Sequence, residues 1–183
     1  MTSLIAQFGA LGVFLLMIPE SACIPIPSEL TLLFSGYAVH RGWISFPLAV
    51  AAATAGNLVG SLLAYGLGAS GLPERVPGLR VLVARWGSIL ERRGTRAVLI
   101  ARLLPLARTF VSLPAGARRI PLPRFVALTT VGCALWAAAF TLAGVLAGGA
   151  WQTLGSVAGR VLLIGGVVVL LLSLKRVHPA GRG

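Results

Sequence analysis

"ESACIPIPSEL" occupies residues 20–30, directly after the apolar run "LIAQFGALGVFLLMIP" of residues 4–19. The chain has only four acidic residues, and two of them, Glu20 and Glu29, lie in this stretch. A continuous membrane helix would not carry two carboxylates together with Pro25 and Pro27. Proline removes a backbone donor and disfavours helix at the residue before it. The stretch therefore predicts two short helices around a broken centre. Broken backbone at membrane depth is tolerated only where protein or water covers it, and a re-entrant hairpin meets that requirement.

The composition sets the same environment. The chain has 183 residues, 57% hydrophobic and 11% charged, with mean hydropathy +0.92. That is outside the usage of soluble domains and inside that of membrane proteins. The net charge of +12 comes with few aromatics and no nucleic-acid motif. It reads as the positive-inside bias of membrane loops, not as nucleic-acid binding. Cys23 and Cys133 are far apart in apolar segments and read as small core residues, not a disulfide or a metal pair. No Lys or Arg precedes Arg41, so the N-terminus lacks the basic region of a cleaved signal peptide.

Spanning the hydrocarbon takes roughly 20 apolar residues. Residues 46–70, 125–149 and about 154–174 qualify, and residues 3–19 are marginal as a fourth span. A second broken stretch is "AVLIARLLPLARTFVSLPAGA", residues 97–117, interrupted at Pro105 and Pro114 and carrying Arg102 and Arg108. Glu29 precedes Phe46 by the same interval as Arg108 precedes Phe125. In each half a broken, charged segment is followed by a span rich in small residues. The expectation is an all-α membrane protein with two oppositely oriented re-entrant hairpins and about three to four transmembrane helices in an inverted repeat. One domain covers residues 1–175: a first half 1–71, a linker 72–96 and a second half 97–175. Residues 176–183 form a basic tail.

Arginines crowd residues 72–96, 118–124 and the C-terminal tail, which places these in the cytoplasm. Within the linker, "LRVLVARWGSILERR" (79–93) is amphipathic. Leu79, Leu82, Val83, Trp86 and Leu90 share one face, and Arg80, Ser88 and Glu91 lie opposite. It reads as a helix at the membrane interface or a loop helix packed on the membrane domain. "GNLVG" puts Gly56 and Gly60 on one face for close helix packing.

Glu20, Glu29, Arg102 and Arg108 sit where water is scarce. A lone central charge costs about 2.5–3.5 kcal/mol, so these four must pair or line a wet cavity. Two acids in one hairpin and two bases in the other predict that the hairpins meet. Arginine forks bind phosphate bidentately and stay charged. A desolvated carboxylate can exchange protons near neutral pH. Arg102 and Arg108 are thus candidate phosphate ligands, and Glu20 and Glu29 candidate proton-coupling groups. A purely structural ion-pair cluster is the other reading. Enzyme chemistry has little support. The chain has two histidines, His40 and His178, no aspartate and no His-Glu-x-x-His. No serine has a visible base, and no metal or cofactor is expected.

Residues 9–42, the Gly-rich "GNLVGSLLAYGLGASG" and "LERRGTRAVLIARLLPLARTFVSLPAGARRIPLPRF" together resemble the DedA family, also called SNARE-associated or VTT-domain proteins. The likeness covers roughly residues 9–150. It implies two facing re-entrant hairpins, with the family's functional acids on Glu20 and Glu29 and its arginines on Arg102 and Arg108. It also implies a bacterial cytoplasmic-membrane protein that returns undecaprenyl phosphate, a polyprenyl phosphate lipid, across the bilayer in a proton-dependent way. An uncoupled phospholipid scramblase and a non-transporting membrane organiser are the alternatives. A homo-oligomer is left open. Two departures stand out: Ser61 where many members have Asp, and Ala69 where many have a basic residue.

Overall fold

The computed structural model describes residues 2–22 and 28–148, within the compact unit Met1–Gly148. Pro25, Pro27, the expected span at 154–174 and the basic tail lie outside the described residues.

All regular structure among the described residues is helical. The elements are α1 (Thr2–Ser21), α2 (Ser28–His40), α3 (Phe46–Ala69), α4 (Leu72–Arg75), α5 (Pro77–Arg93), α6 (Arg96–Arg102), α7 (Pro105–Phe110), α8 (Ser112–Ala117) and α9 (Leu122–Leu146). Two of them, α3 and α9, are long and apolar enough to cross a membrane. They cover the spans expected at 46–70 and 125–149. Each starts where a preceding residue is extended and a proline stands in the first turn: Ser45 before α3 and Pro121 before α9. Proline is favoured there because the first N–H groups of a helix have no intrahelical acceptor.

The first broken stretch divides between α1, ending at Ser21, and α2, beginning at Ser28. The second divides into three short helices. Leu104 is extended (φ −108°, ψ 130°) and α7 begins at Pro105, as the steric clash of proline with the preceding residue requires. Pro114 sits buried in the first turn of α8, where a missing N–H is tolerated, so the helix continues through it.

The polarity of the bundle is inverted relative to a soluble protein. Along α3 the buried residues are Ala49, Ala53, Thr54, Gly56, Asn57, Gly60, Ser61, Ala64 and Gly68. Leu48, Val59, Leu63 and Leu67 face outward. Along α9, Thr129, Gly132, Cys133, Ala137 and Thr141 are inside, while Val131, Leu135, Leu142 and Leu146 are exposed. Small and weakly polar residues inside let backbones approach, and large apolar ones outside suit lipid.

The packing is exchanged between the two halves. Helix α1 packs on α3, and α6 on α9, while α2 packs on α9 and α8 on α3. Glycines mark the contacts. A Cβ on Gly56 would lie 2.9 Å from Met17 Cβ, and one on Gly60 2.9 Å from Ser21 Cβ. On the other helix, Gly132 lies against Arg102. Gly36 abuts Gly144 and the Thr141 carbonyl, Gly68 meets the α8 backbone at Leu113 and Ala117, and Gly116 meets the α3 backbone at Tyr65 and Ala69.

Helix α5 packs against α8. It buries Val83, Gly87 and Leu90 and leaves Arg80, Ser88 and Arg92 outside. Trp86 packs on the cluster formed by Val98, Ala101, Val111 and Phe125. The amphipathic pattern of 79–93 thus covers the second broken stretch.

Candidate functional site

Glu20 lies in the last turn of α1 and Arg108 in the last turn of α7. The Arg108 Nη2 donates to Glu20 Oε2 at 2.7 Å. The same nitrogen is 3.2 Å from the Oγ of Ser28, the first residue of α2. Both charged side chains are about 4% exposed. One arginine therefore joins both arms of the first broken stretch to the second. The Arg108 guanidinium also lies 4.9 Å from the ring centre of Trp136 on α9, a distance at which the ring face attracts the cation.

Arg102 is differently placed. It is 2% exposed. Its Nη1 donates to the Arg108 carbonyl at 2.8 Å and its Nη2 to Ser112 Oγ at 2.6 Å. A longer contact reaches Thr129 Oγ1 at 3.5 Å, and the guanidinium carbon is 5.9 Å from the Phe125 ring centre. These bonds tie α7, α8 and α9 together around the backbone that presents Arg108.

Glu29, in the first turn of α2, is half-buried and makes no ion pair among the described residues. It is within electrostatic reach of Glu20. Of the two acids and two bases expected to face each other, Glu20 and Arg108 are in direct contact. Arg102 and Glu29 flank that pair.

Several residues of this centre were not singled out from the sequence. Asn57 is fully buried on α3, where its Oδ1 accepts from Ser21 Oγ at 2.6 Å. Its own backbone carbonyl accepts from Ser61 Oγ at 2.6 Å. Ser28, Ser112, Thr129 and Trp136 complete the lining. The available signal was a carboxamide inside a run of Ala and Gly, which stands out once the glycines are assigned to packing. Buried donors without a hydrogen-bond partner among the described residues include Arg108 Nη1, Asn57 Nδ2 and Trp136 Nε1. The centre thus offers fixed positive charge and spare N–H groups beside a carboxylate.

A family model described as the VTT domain matches residues 26–146. An alkaline phosphatase-like protein of Lactococcus lactis subsp. lactis is 30% identical, over 96% of this chain and 92% of that protein. Undecaprenyl phosphate transporter A of Bacillus subtilis is 29% identical, over 80% of this chain and 79% of the relative. The Staphylococcus aureus protein of the same name is 25% identical, over 74% and 72%. No solved structure matches the chain.

Proposed function

We propose, since this chain belongs to the VTT-domain family, that it carries undecaprenyl phosphate across the bacterial cytoplasmic membrane with proton coupling. The observation that carries this reading is the buried Glu20–Arg108 pair, whose arginine keeps a second nitrogen without an acceptor. Two relatives named undecaprenyl phosphate transporter A support the choice of lipid.

The mechanism follows from charge. With Glu20 ionised, the pair is neutral and closed. An incoming phosphate competes with Glu20 for the Arg108 fork, which holds phosphate bidentately. A buried carboxylate that loses its cation cannot stay charged cheaply, so it takes up a proton as the phosphate binds. Loss of that proton restores the pair and expels the phosphate. Arg108 is then the primary phosphate ligand, Arg102 the brace that holds the chain at 108, and Glu29 the relay between Glu20 and one membrane face. An apolar groove of about 610 Å³ between α3 and α9, lined in part by Val50, Thr54, Leu58 and Ala134, suits the hydrocarbon tail.

The architecture proposed for this cycle is a pair of oppositely oriented re-entrant hairpins in one domain of residues 1–175, with a cytoplasmic C-terminus. It draws support from the exchanged packing, in which the first arm of each half lies on its own long helix and the second arm on the other. Two half-site elements meeting between inverted halves are the usual basis of alternating access.

A phosphatase is the second reading, favoured by the name of the Lactococcus relative. Purified protein in liposomes containing undecaprenyl phosphate separates the two. The expected outcome is transbilayer movement of the lipid with no release of inorganic phosphate, and loss of movement in folded Arg108→Ala. Phosphate release by wild type would establish the enzyme instead. Phospholipid scrambling without undecaprenyl phosphate movement would establish an uncoupled scramblase, and neither activity would leave a membrane organiser.

A further inference from the structure

We infer that Asn57 and Trp136 join Arg108 in a three-donor cradle that selects a phosphomonoester over the phosphodiester headgroups of the surrounding bilayer. The inference rests on the phosphate site proposed above and adds its selectivity.

Three of the buried donors without a partner among the described residues come from three helices: Arg108 Nη1 from α7, Asn57 Nδ2 from α3 and Trp136 Nε1 from α9. They belong to one connected centre. Trp136 lies under the Arg108 guanidinium at 4.9 Å. Asn57 is held by Ser21, which follows Glu20, the partner of Arg108. Trp136 packs on the cluster that includes Met17 and Ala53, residues one helical turn from Ser21 on α1 and from Asn57 on α3. The close contacts at Gly56 and Gly60 clamp α3 to α1 on either side of Asn57, so its amide cannot withdraw.

Buried donors in folded proteins have acceptors. An indole N–H only donates, a guanidinium only donates, and the Asn57 oxygen is already used by Ser21. A ligand that meets all three must offer several acceptors and needs no donor of its own. A phosphomonoester has three terminal oxygens and up to two negative charges. A phosphodiester has two terminal oxygens and one charge. Three donors arriving from three helices match the three unesterified oxygens of the monoester, whereas a diester puts an ester oxygen, a poor acceptor that carries a carbon chain, in front of one of them. A site that leaves a buried polar group unpaired against the wrong ligand discriminates strongly. The carrier lipid could then be chosen from an excess of phosphodiester lipids by its headgroup alone.

The full chain in lipid nanodiscs tests this. Bound undecaprenyl phosphate is displaced with phosphatidic acid, a monoester, or with phosphatidylglycerol, a diester. Wild type is expected to bind phosphatidic acid about 10-fold or more tightly than phosphatidylglycerol. Trp136→Phe keeps the ring under Arg108 and removes the N–H, and Asn57→Leu keeps the volume and removes the amide. Each should lower monoester affinity by about 10- to 100-fold, the range for a hydrogen bond to a charged group, with diester affinity little changed. Folded variants that keep the wild-type ratio would overturn the cradle and leave the Arg108 site standing. Wild type that binds neither monoester lipid would overturn both. Should Asn57→Leu fail to fold, Trp136→Phe decides.

Discussion

Arg108 and Glu20, 88 residues apart in the chain, meet at 2.7 Å in a centre where neither side chain is more than about 4% exposed. Removing one member of a buried pair costs about 3–5 kcal/mol, because the other is left charged and unpaired. Glu20→Gln and Arg108→Gln should each lower the thermal unfolding midpoint in detergent. The double variant should unfold closer to wild type than either single one. Unfolding midpoints that simply add would exclude direct coupling.

Glu29 has no ion pair among the described residues to lose. Glu29→Gln should therefore leave stability within about 0.5 kcal/mol of wild type while flattening the pH dependence of lipid movement. Liposome transport between pH 6 and 8, run beside a melting curve, reads both. A large loss of stability with unchanged pH dependence would assign Glu29 a structural role.

Arg102 and Arg108 should separate by readout. Arg102 holds a backbone carbonyl and Ser112 through two nitrogens of one planar fork, a geometry that lysine cannot reproduce. Arg102→Lys should lose about 1.5–3 kcal/mol of stability and reduce transport in proportion to the folded fraction. Arg108→Lys should keep most of the fold and lose phosphate affinity. Similar melting losses for the two would sink this division of labour.

The glycines should sort by what a Cβ would meet. At Gly36, Gly68, Gly116 and Gly144 it would run into the backbone of a neighbouring helix. Alanine at any of them must push helices apart, at a cost of about 1–3 kcal/mol. At Gly66, within α3, nothing lies within 4 Å, and alanine should stabilise by about 0.5–1 kcal/mol. Yields of folded monodisperse protein and unfolding midpoints for Gly144→Ala and Gly66→Ala should move in opposite directions.

Much of this protein was legible in the sequence. Apolar length announced α3 and α9, proline placed the break at Pro105, and the scarcity of acids marked Glu20 and Glu29. Those features are local: hydropathy and backbone chemistry act over one or two helical turns and need no knowledge of neighbours. Only the tertiary structure decided which charge met which. Arg102 and Arg108 look alike in sequence, yet one reaches Glu20 across the bundle and the other turns to Ser112 and the carbonyl of residue 108. Asn57 carried no assignment in the sequence, and only the packing of α1 on α3 brings Ser21 to its oxygen and leaves its buried nitrogen without a partner among the described residues. The reason is geometric. A buried polar group bonds with whatever the packing delivers within about 3 Å, and that delivery depends on glycine contacts between helices far apart in the chain.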